Sequence, residues 1–151
     1  ESPVEVDVGL VVSDLVELLR YEAADGVHVE AEAAPDLRCR TQQDHLRQAL
    51  LNLGLNALQA MESRGGTLRF EATASDGTLV LSVRDSGPGF PPAVLEGTAG
   101  PFTSSRPGGV GLGLRVVRRM VGEMGGTLRL ANPEGGGASI EIRIPCAEKP
   151  S

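Results

Sequence analysis

Residues 50–61 read LLNLGLNALQAM and lie within the strongest helical pattern of the chain, which predicts a helix from about Gln42 to Ser63. The apolar face of this helix carries Leu46, Leu50, Leu53, Ala57 and Met61. The polar face, within an arc of about 80° on roughly the opposite side, carries Gln48, Asn52, Asn56 and Gln59. Because Asn52 and Asn56 are one turn apart, their amides can point into one shared site. A side-chain carbonyl suits Mg²⁺ as a ligand, although a solvated polar face is the ordinary alternative.

The segment DSGPGF at residues 85–90 comes directly after a predicted strand. A carboxylate at the end of a strand, followed by glycines, can place an acceptor in a pocket that a ring enters closely. Asp85 would then accept a hydrogen bond from the exocyclic amine of adenine. The alternative is a simple turn in which the aspartate caps a helix.

The glycine-rich segment GGVGLGL at residues 108–114 opens a predicted helix from about Gly111 to Met124. Glycines at a helix N-terminus let backbone N–H groups approach phosphates, and the helix dipole favours the negative charge. Arg106, just upstream, could reach a terminal phosphate. The segment lacks the Lys-Ser/Thr of a P-loop and does not follow a strand, so it does not match a dinucleotide fingerprint.

The remaining pattern predicts a second long helix, from about Gly9 to Ala24, with Asp7 as its N-cap. Its mostly apolar stripe would carry Leu10, Asp14, Leu15, Leu18 and Leu19. A hairpin at Asp76-Gly77 and a short helix near Pro92–Leu95 are expected, with a frayed tail after Pro145. The predicted strands are residues 4–8, 27–33, 37–40, 67–73, 79–84, 127–130 and 138–144. This order predicts a two-layer α/β sandwich, a mixed sheet of about five strands with about three helices on one face.

The composition limits the classes of function. The length of 151 residues fits a single domain over residues 1–151, and the net charge of −6 argues against nucleic acid as a partner. No apolar run approaches the ~18–20 residues of a membrane span, so we expect no membrane contact by this domain. Two cysteines, Cys39 and Cys146, are too few for a disulfide scaffold and fit a reducing compartment. Since the first residue is Glu1 rather than Met, we interpret the chain as a fragment of a longer protein.

The order of these motifs resembles the ATP-binding domain of bacterial sensor histidine kinases, which belongs to the wider group of gyrase, Hsp90 and MutL ATPases. Residues 51–57 (LNLGLNA) resemble the N box of that family, and residues 85–89 (DSGPG) its G1 box. Residues 101–102 (PF) resemble the F box, and residues 109–114 (GVGLGL) the G2 box. The segments LNALQAM (residues 55–61) and PFTSSRPGG (residues 101–109) are most similar to those of nitrogen-regulatory kinases. The resemblance implies the Bergerat ATP-binding fold, with ATP and Mg²⁺ as its cofactors.

The resemblance also implies a role for each matching residue. Asn56 would ligate the Mg²⁺ that bridges the ATP phosphates, with Asn52 beside it, and Asp85 would bind the adenine amine. Residues 94–109 would form a lid over the nucleotide. The other implied nucleotide contacts are Gln59, Gly87, Gly89, Phe102, Arg106, Gly109, Val110, Gly111, Leu112, Gly113 and Leu114. The chain departs from the family at Gln59, where many members have a cation, and at Val110, where Thr is frequent; both changes predict weaker phosphate contacts.

The family's ATP-hydrolysing relatives have a glutamate one turn before the metal-binding asparagine, as the general base for water. Asn52 stands there, and an amide cannot accept a proton at neutral pH. The two histidines, His28 and His45, lack the context of a phosphoacceptor. We therefore interpret the chain as the catalytic half of a histidine kinase, without its dimerisation domain.

The partners implied by the resemblance are a His-bearing dimerisation domain of the parent protein and a downstream response regulator. We expect a cytoplasmic location, compatible with a membrane-anchored parent, and a monomeric isolated domain. One alternative is an ATPase or an anti-sigma-factor Ser/Thr kinase of the same wider group. The other is a nucleotide-binding interaction module that has lost its activity.

Overall fold

The computed structural model describes residues 1–96 and 110–148. The helices are α1 (Val8–Glu22), α2 (Gln43–Met61), α3 (Pro92–Leu95) and α4 (Val110–Glu123). The strands are β1 (Val4–Asp7), β2 (Val27–Ala33), β3 (Arg38–Thr41), β4 (Gly66–Ser75), β5 (Thr78–Asp85), β6 (Thr127–Ala131) and β7 (Ala138–Pro145). None of the helices within the described ranges is long and apolar enough to cross a membrane.

Five strands form one mixed sheet in the order β2-β4-β5-β7-β6, in which only β2 and β4 run parallel. Alternate residues of β4, β5 and β7 are buried, because successive side chains of a strand point to opposite faces. The buried side chains pack with the apolar faces of α1, α2 and α4 in one aliphatic core. The predicted two-layer sandwich is confirmed.

The hairpin between β4 and β5 shows how local sequence sets the register of the sheet. Asp76 and Gly77 both have positive φ, 49° and 76°, as a two-residue turn between twisted strands requires. The turn pairs Ser75 with Thr78 and, at the far end, Leu68 with Asp85. The hairpin predicted at this dipeptide is therefore present, and it delivers Asp85 to one end of the sheet.

A second, two-stranded sheet was not anticipated from the sequence. β1 and β3 pair antiparallel, with Val6 opposite Cys39, although more than 30 residues separate them along the chain. Sequence periodicity identified both strands but carries no information on which strands pair. Its second strand, β3, ends at Thr41, two residues before α2 begins.

The predicted stripe of α1 is correct at Leu15 and Leu19 and wrong at Leu10, Asp14 and Leu18. Leu10 and Leu18 are 53% and 46% exposed, and Asp14 is exposed too. The buried face consists of Val8, Val11, Val12, Leu15, Val16 and Leu19. These valines follow the i, i+3, i+4 spacing of one helical face, and they turn the leucines at 10 and 18 towards solvent. The predicted N-cap is confirmed, since the Asp7 carboxylate accepts from the Leu10 N–H at 3.1 Å.

The first two residues after Pro145, in the tail predicted to be frayed, are anchored. The Cys146 N–H donates to the Gly77 carbonyl at 2.8 Å, and the Ala147 N–H donates to the Arg40 carbonyl at 2.7 Å. Cys146 also forms a disulfide with Cys39, whose Cα lies 5.1 Å away, within the normal range for such a bond. The two cysteines, expected to fit a reducing compartment, thus form a single link between β3 and the end of β7.

Replacing Cys146 by serine tests this link. Because the bond joins residues 107 apart, its loss should lower the free energy of unfolding by about 2–4 kcal/mol. Urea unfolding without reductant measures the difference, and Cys146→Ser avoids placing a hydroxyl in the core, where Cys39 is buried. Dithiothreitol should destabilise the natural chain equally and leave Cys146→Ser unchanged. A natural chain insensitive to dithiothreitol would contradict the prediction.

Candidate nucleotide-binding site

A pocket opens where α2, the C-terminal end of β5 and the start of α4 meet. It combines Asn56 from α2, Asp85 from β5 and Leu114 from α4, which are distant along the chain. Its described lining consists of Leu53, Asn56, Ala57, Ala60, Val83, Asp85, Gly89, Phe90, Leu114, Ala138 and Ile140. The pocket is apolar apart from one amide and one carboxylate, which is the usual character of a site for a flat ring.

Asp85 ends β5 and is held by the backbone around it. Its Oδ1 accepts from the Gly87 N–H at 2.8 Å, and the Ala138 N–H donates to the same carboxylate. Burial raises the pKa of Asp85, and the two backbone hydrogen bonds act in the opposite direction. Since a carboxylate can accept about four hydrogen bonds, Asp85 keeps acceptor capacity for an amine donor inside the pocket.

Gly89 shows why this turn contains glycine. Its φ of +87° is one that side-chain-bearing residues rarely adopt. A Cβ at this position would lie 3.0 Å from the Gly137 carbonyl oxygen and 3.0 Å from Asn132 Oδ1. The turn after β5 is therefore packed closely against the connection between β6 and β7.

Asn56 lies on α2 directly against α4. A Cβ at Gly113 would overlap the Asn56 amide, so glycine at this position leaves room for that amide between the two helices. Asn56 Nδ2 is the buried side-chain polar atom without a hydrogen-bond partner within the described part of the chain. Leaving such a group unpaired costs about 1–3 kcal/mol. Unpaired buried groups of this kind are typical of sites where a ligand or ion binds. The unpaired Nδ2 is a donor, which suits a phosphate oxygen, whereas the carbonyl oxygen of the same amide is the atom that could ligate a metal.

The other predicted residues are placed less centrally. The Asn52 carbonyl oxygen accepts from Gln48 Nε2 at 3.0 Å, one turn before Asn56, and neither Asn52 nor Gln59 lines the pocket. Gly87 is buried beside Asp85. Phe102, Arg106 and Gly109 lie outside the described residues, as does the lid predicted for residues 94–109 apart from its first three residues. For Val110, Gly111 and Leu112 the structure gives the helical backbone alone.

Sequence reasoning missed the β6–β7 connection as part of the site. Ala138 lines the pocket and donates to Asp85, and Asn132 binds the backbone of Phe90. Their partners are 53 and 42 residues away along the chain, at positions 85 and 90. The one local signal was the glycine run at residues 135–137, which predicted only a turn.

The family model described as histidine kinase-, DNA gyrase B- and HSP90-like ATPase matches residues 41–148. The chain belongs to this family. It is 35% identical over 143 residues to the sensor histidine kinase ZraS of Klebsiella oxytoca, a match that covers 93% of the chain and 31% of that protein. It is 27% identical over 128 residues to sporulation kinase B of Bacillus subtilis, covering 85% of the chain and 30% of that protein. This ATPase-family domain therefore spans about a third of the length of these curated relatives.

Solved structures agree with this assignment. The full-length kinase ShkA in complex with AMPPNP superimposes with a TM-score of 0.82 at 29% identity, over 99% of this chain and 32% of that one. The mycobacterial sensor histidine kinase MprB superimposes with a TM-score of 0.80 at 28% identity, over 97% of this chain and 99% of that one. The fold of this domain is that of the catalytic ATP-binding domain of sensor histidine kinases, as the sequence predicted.

Replacing Asp85 by asparagine should weaken ATP binding about thirtyfold, because the amide presents a donor to a donor and a charged hydrogen bond is lost. Calorimetric titration with ATP measures the effect. Inosine triphosphate, which has a carbonyl oxygen in place of the exocyclic amine, is the control ligand, and its affinity should not fall, because the asparagine N–H can donate to that oxygen. Unchanged ATP affinity in a folded Asp85→Asn protein would reject Asp85 as the adenine acceptor.

Proposed function

We propose that this domain binds ATP with Mg²⁺ and donates the γ-phosphate to a histidine on a separate helical dimerisation domain of its parent protein. The observation that carries the proposal is the meeting of Asn56, Asp85 and Leu114 around one pocket. These three residues belong to the motifs that resemble the N, G1 and G2 boxes. The match to sensor histidine kinases over most of the chain supports the same function.

Each end of the nucleotide would be held by a different kind of group. The base would enter the apolar part of the pocket, where Asp85 accepts from the exocyclic amine. The phosphates would lie near the start of α4, where backbone N–H groups and the helix dipole favour negative charge. Asn56 would hold Mg²⁺, which when bound neutralises charge on the phosphates during transfer.

The composition of the pocket supports phosphate transfer over hydrolysis. Asp85 is the one acidic residue in the described lining, and its carboxylate is already bonded to two backbone N–H groups. Asn52, which stands in place of the base found in the hydrolysing relatives, is an amide bonded to Gln48. Because neither group can take a proton from water at the phosphate end, bound ATP would persist until an acceptor arrives.

The acceptor histidine would come from outside this chain. His45 has both ring nitrogens occupied, by Glu1 at 2.7 Å and Glu123 at 2.8 Å, and these carboxylates raise its pKa. His28 lies on the edge strand β2, which the sheet order places at the opposite edge from β6. The lengths of the curated relatives leave room for such a domain in the parent protein. The further partner of the parent protein would be a cytoplasmic response regulator.

A transfer assay on the parent protein tests the proposal. With γ-labelled ATP and Mg²⁺, label should accumulate on a histidine of the dimerisation domain, identified by mass after proteolysis. A variant with that histidine replaced by glutamine is the control and should stay unlabelled. Label on serine or threonine would favour the Ser/Thr kinase alternative, and rapid release of free phosphate would favour the ATPase. Nucleotide binding with neither label transfer nor release of phosphate would favour the interaction module that has lost its activity.

Replacing Asn56 by alanine separates the contribution of the metal to ATP affinity from the contribution of the base. Affinity for ATP should fall about tenfold or more with Mg²⁺ present and change little with the metal chelated, because the lost group is a metal ligand. Parallel calorimetric titrations with Mg²⁺ and with EDTA measure this. Gln48→Ala, exposed on the same helix, is the matched control. Equal losses under both conditions would reject Asn56 as the ligand.

A further inference from the structure

The side chain of Asn132, directly after β6, makes two hydrogen bonds to the backbone of one residue. The Phe90 N–H donates to Asn132 Oδ1 at 2.8 Å, and Asn132 Nδ2 donates to the Phe90 carbonyl at 2.9 Å. A primary amide offers a donor and an acceptor side by side, as a strand neighbour does, so it suits this pairing. The two residues are 42 positions apart, and the contact joins two separate loops.

The segment that Asn132 holds has few other means of attachment. Residues 88–92 read PGFPP, and proline has no backbone N–H. Within these five residues, only Gly89 and Phe90 can donate from the backbone. The bond to Asn132 therefore uses one of two backbone donors in this part of the pocket wall.

The same connection contacts the segment at its other end. A Cβ at Gly137 would overlap the Asp85 carbonyl, and the Ala138 N–H donates to the Asp85 carboxylate. The β6–β7 connection thus holds residues 85–90 at both ends, with Asn132 on Phe90 and Gly137 and Ala138 on Asp85. The distance between the Asp85 carboxylate and the Phe90 wall is set by this two-point attachment.

From this geometry we propose that Asn132 is a positioning residue for purine recognition. Asn132 is exposed and does not line the pocket, so it acts through the backbone of Phe90, which does. By fixing Gly89 and Phe90 relative to Asp85, Asn132 aligns the purine ring with the Asp85 carboxylate, which accepts a hydrogen bond from the adenine amine. The inference rests on the proposed nucleotide-binding function and adds a determinant of base selectivity to it.

The test compares ATP with inosine triphosphate by calorimetry in the full chain, because the two differ at the group that Asp85 would read. In Asn132→Ala, ATP affinity should fall about tenfold while inosine triphosphate affinity changes little, so the ratio of the two drops. Asn132→Asp keeps the volume but sets an acceptor against the Phe90 carbonyl, and it should lower the ratio as well. The gain in ATP affinity from Mg²⁺ should stay at its original value in both variants.

Glu134→Ala is the matched control, since Glu134 is exposed in the same connection two residues further on. In Glu134→Ala, the ratio of ATP affinity to inosine triphosphate affinity should equal that of the natural chain. Thermal unfolding identifies any variant that fails to fold, and Asn132→Asp then decides in place of Asn132→Ala. An unchanged ratio in the Asn132 variants, or equal loss of both nucleotides, would overturn the positioning role while the proposed function stands. Absence of ATP binding in the natural chain would overturn both.

Discussion

The close approach of α4 to α2 at Gly113 and Asn56 is the constraint on which the site depends. The buried face of α2 fixes that helix on the sheet and leaves Asn56 at the edge of the core. α4 then covers the amide, and a side chain at Gly113 would displace the Asn56 amide from its place between the two helices. Burying an unpaired amide is unfavourable by itself, so the apolar contacts of Leu114, Val117 and Val121 must compensate. The fold thus stabilises an arrangement that makes sense only with a ligand.

The end of the pocket at Asp85, where the proposed function places the base, is fixed in a different way, by strands. β5 and β7 are neighbours in the middle of the sheet, and their register places Asp85 opposite Ala138. A buried carboxylate needs hydrogen bonds to remain charged, and Gly87 and Ala138 supply them from the backbone. Backbone donors hold their positions better than side chains do, because they lose no rotamer freedom. The acceptor is therefore oriented before any nucleotide enters.

Features with local causes could be predicted from the sequence, and features with distant causes could not. The buried stripe of α2, the turn at Asp76-Gly77 and the Asp7 cap each depend on residues within a few positions of one another. The β1–β3 pairing and the anchoring of Cys146 depend on partners far along the chain. The site divides in the same way: motif order identified Asn56 and Asp85, whereas Asn132 has no local signal because its partner is Phe90.

These two halves of the site have different mechanical requirements. Recognition of the base benefits from rigidity, and the described base end is built from strands, backbone hydrogen bonds and the closely packed Gly89 turn. In the proposed function, transfer of a phosphate to another domain requires access from outside, and the phosphates would lie at the first turn of α4 rather than at the sheet. An amide at Asn52 fits this division, because a site open to a protein acceptor is also open to water. Without a general base, that water is not activated to compete with the acceptor for the γ-phosphate.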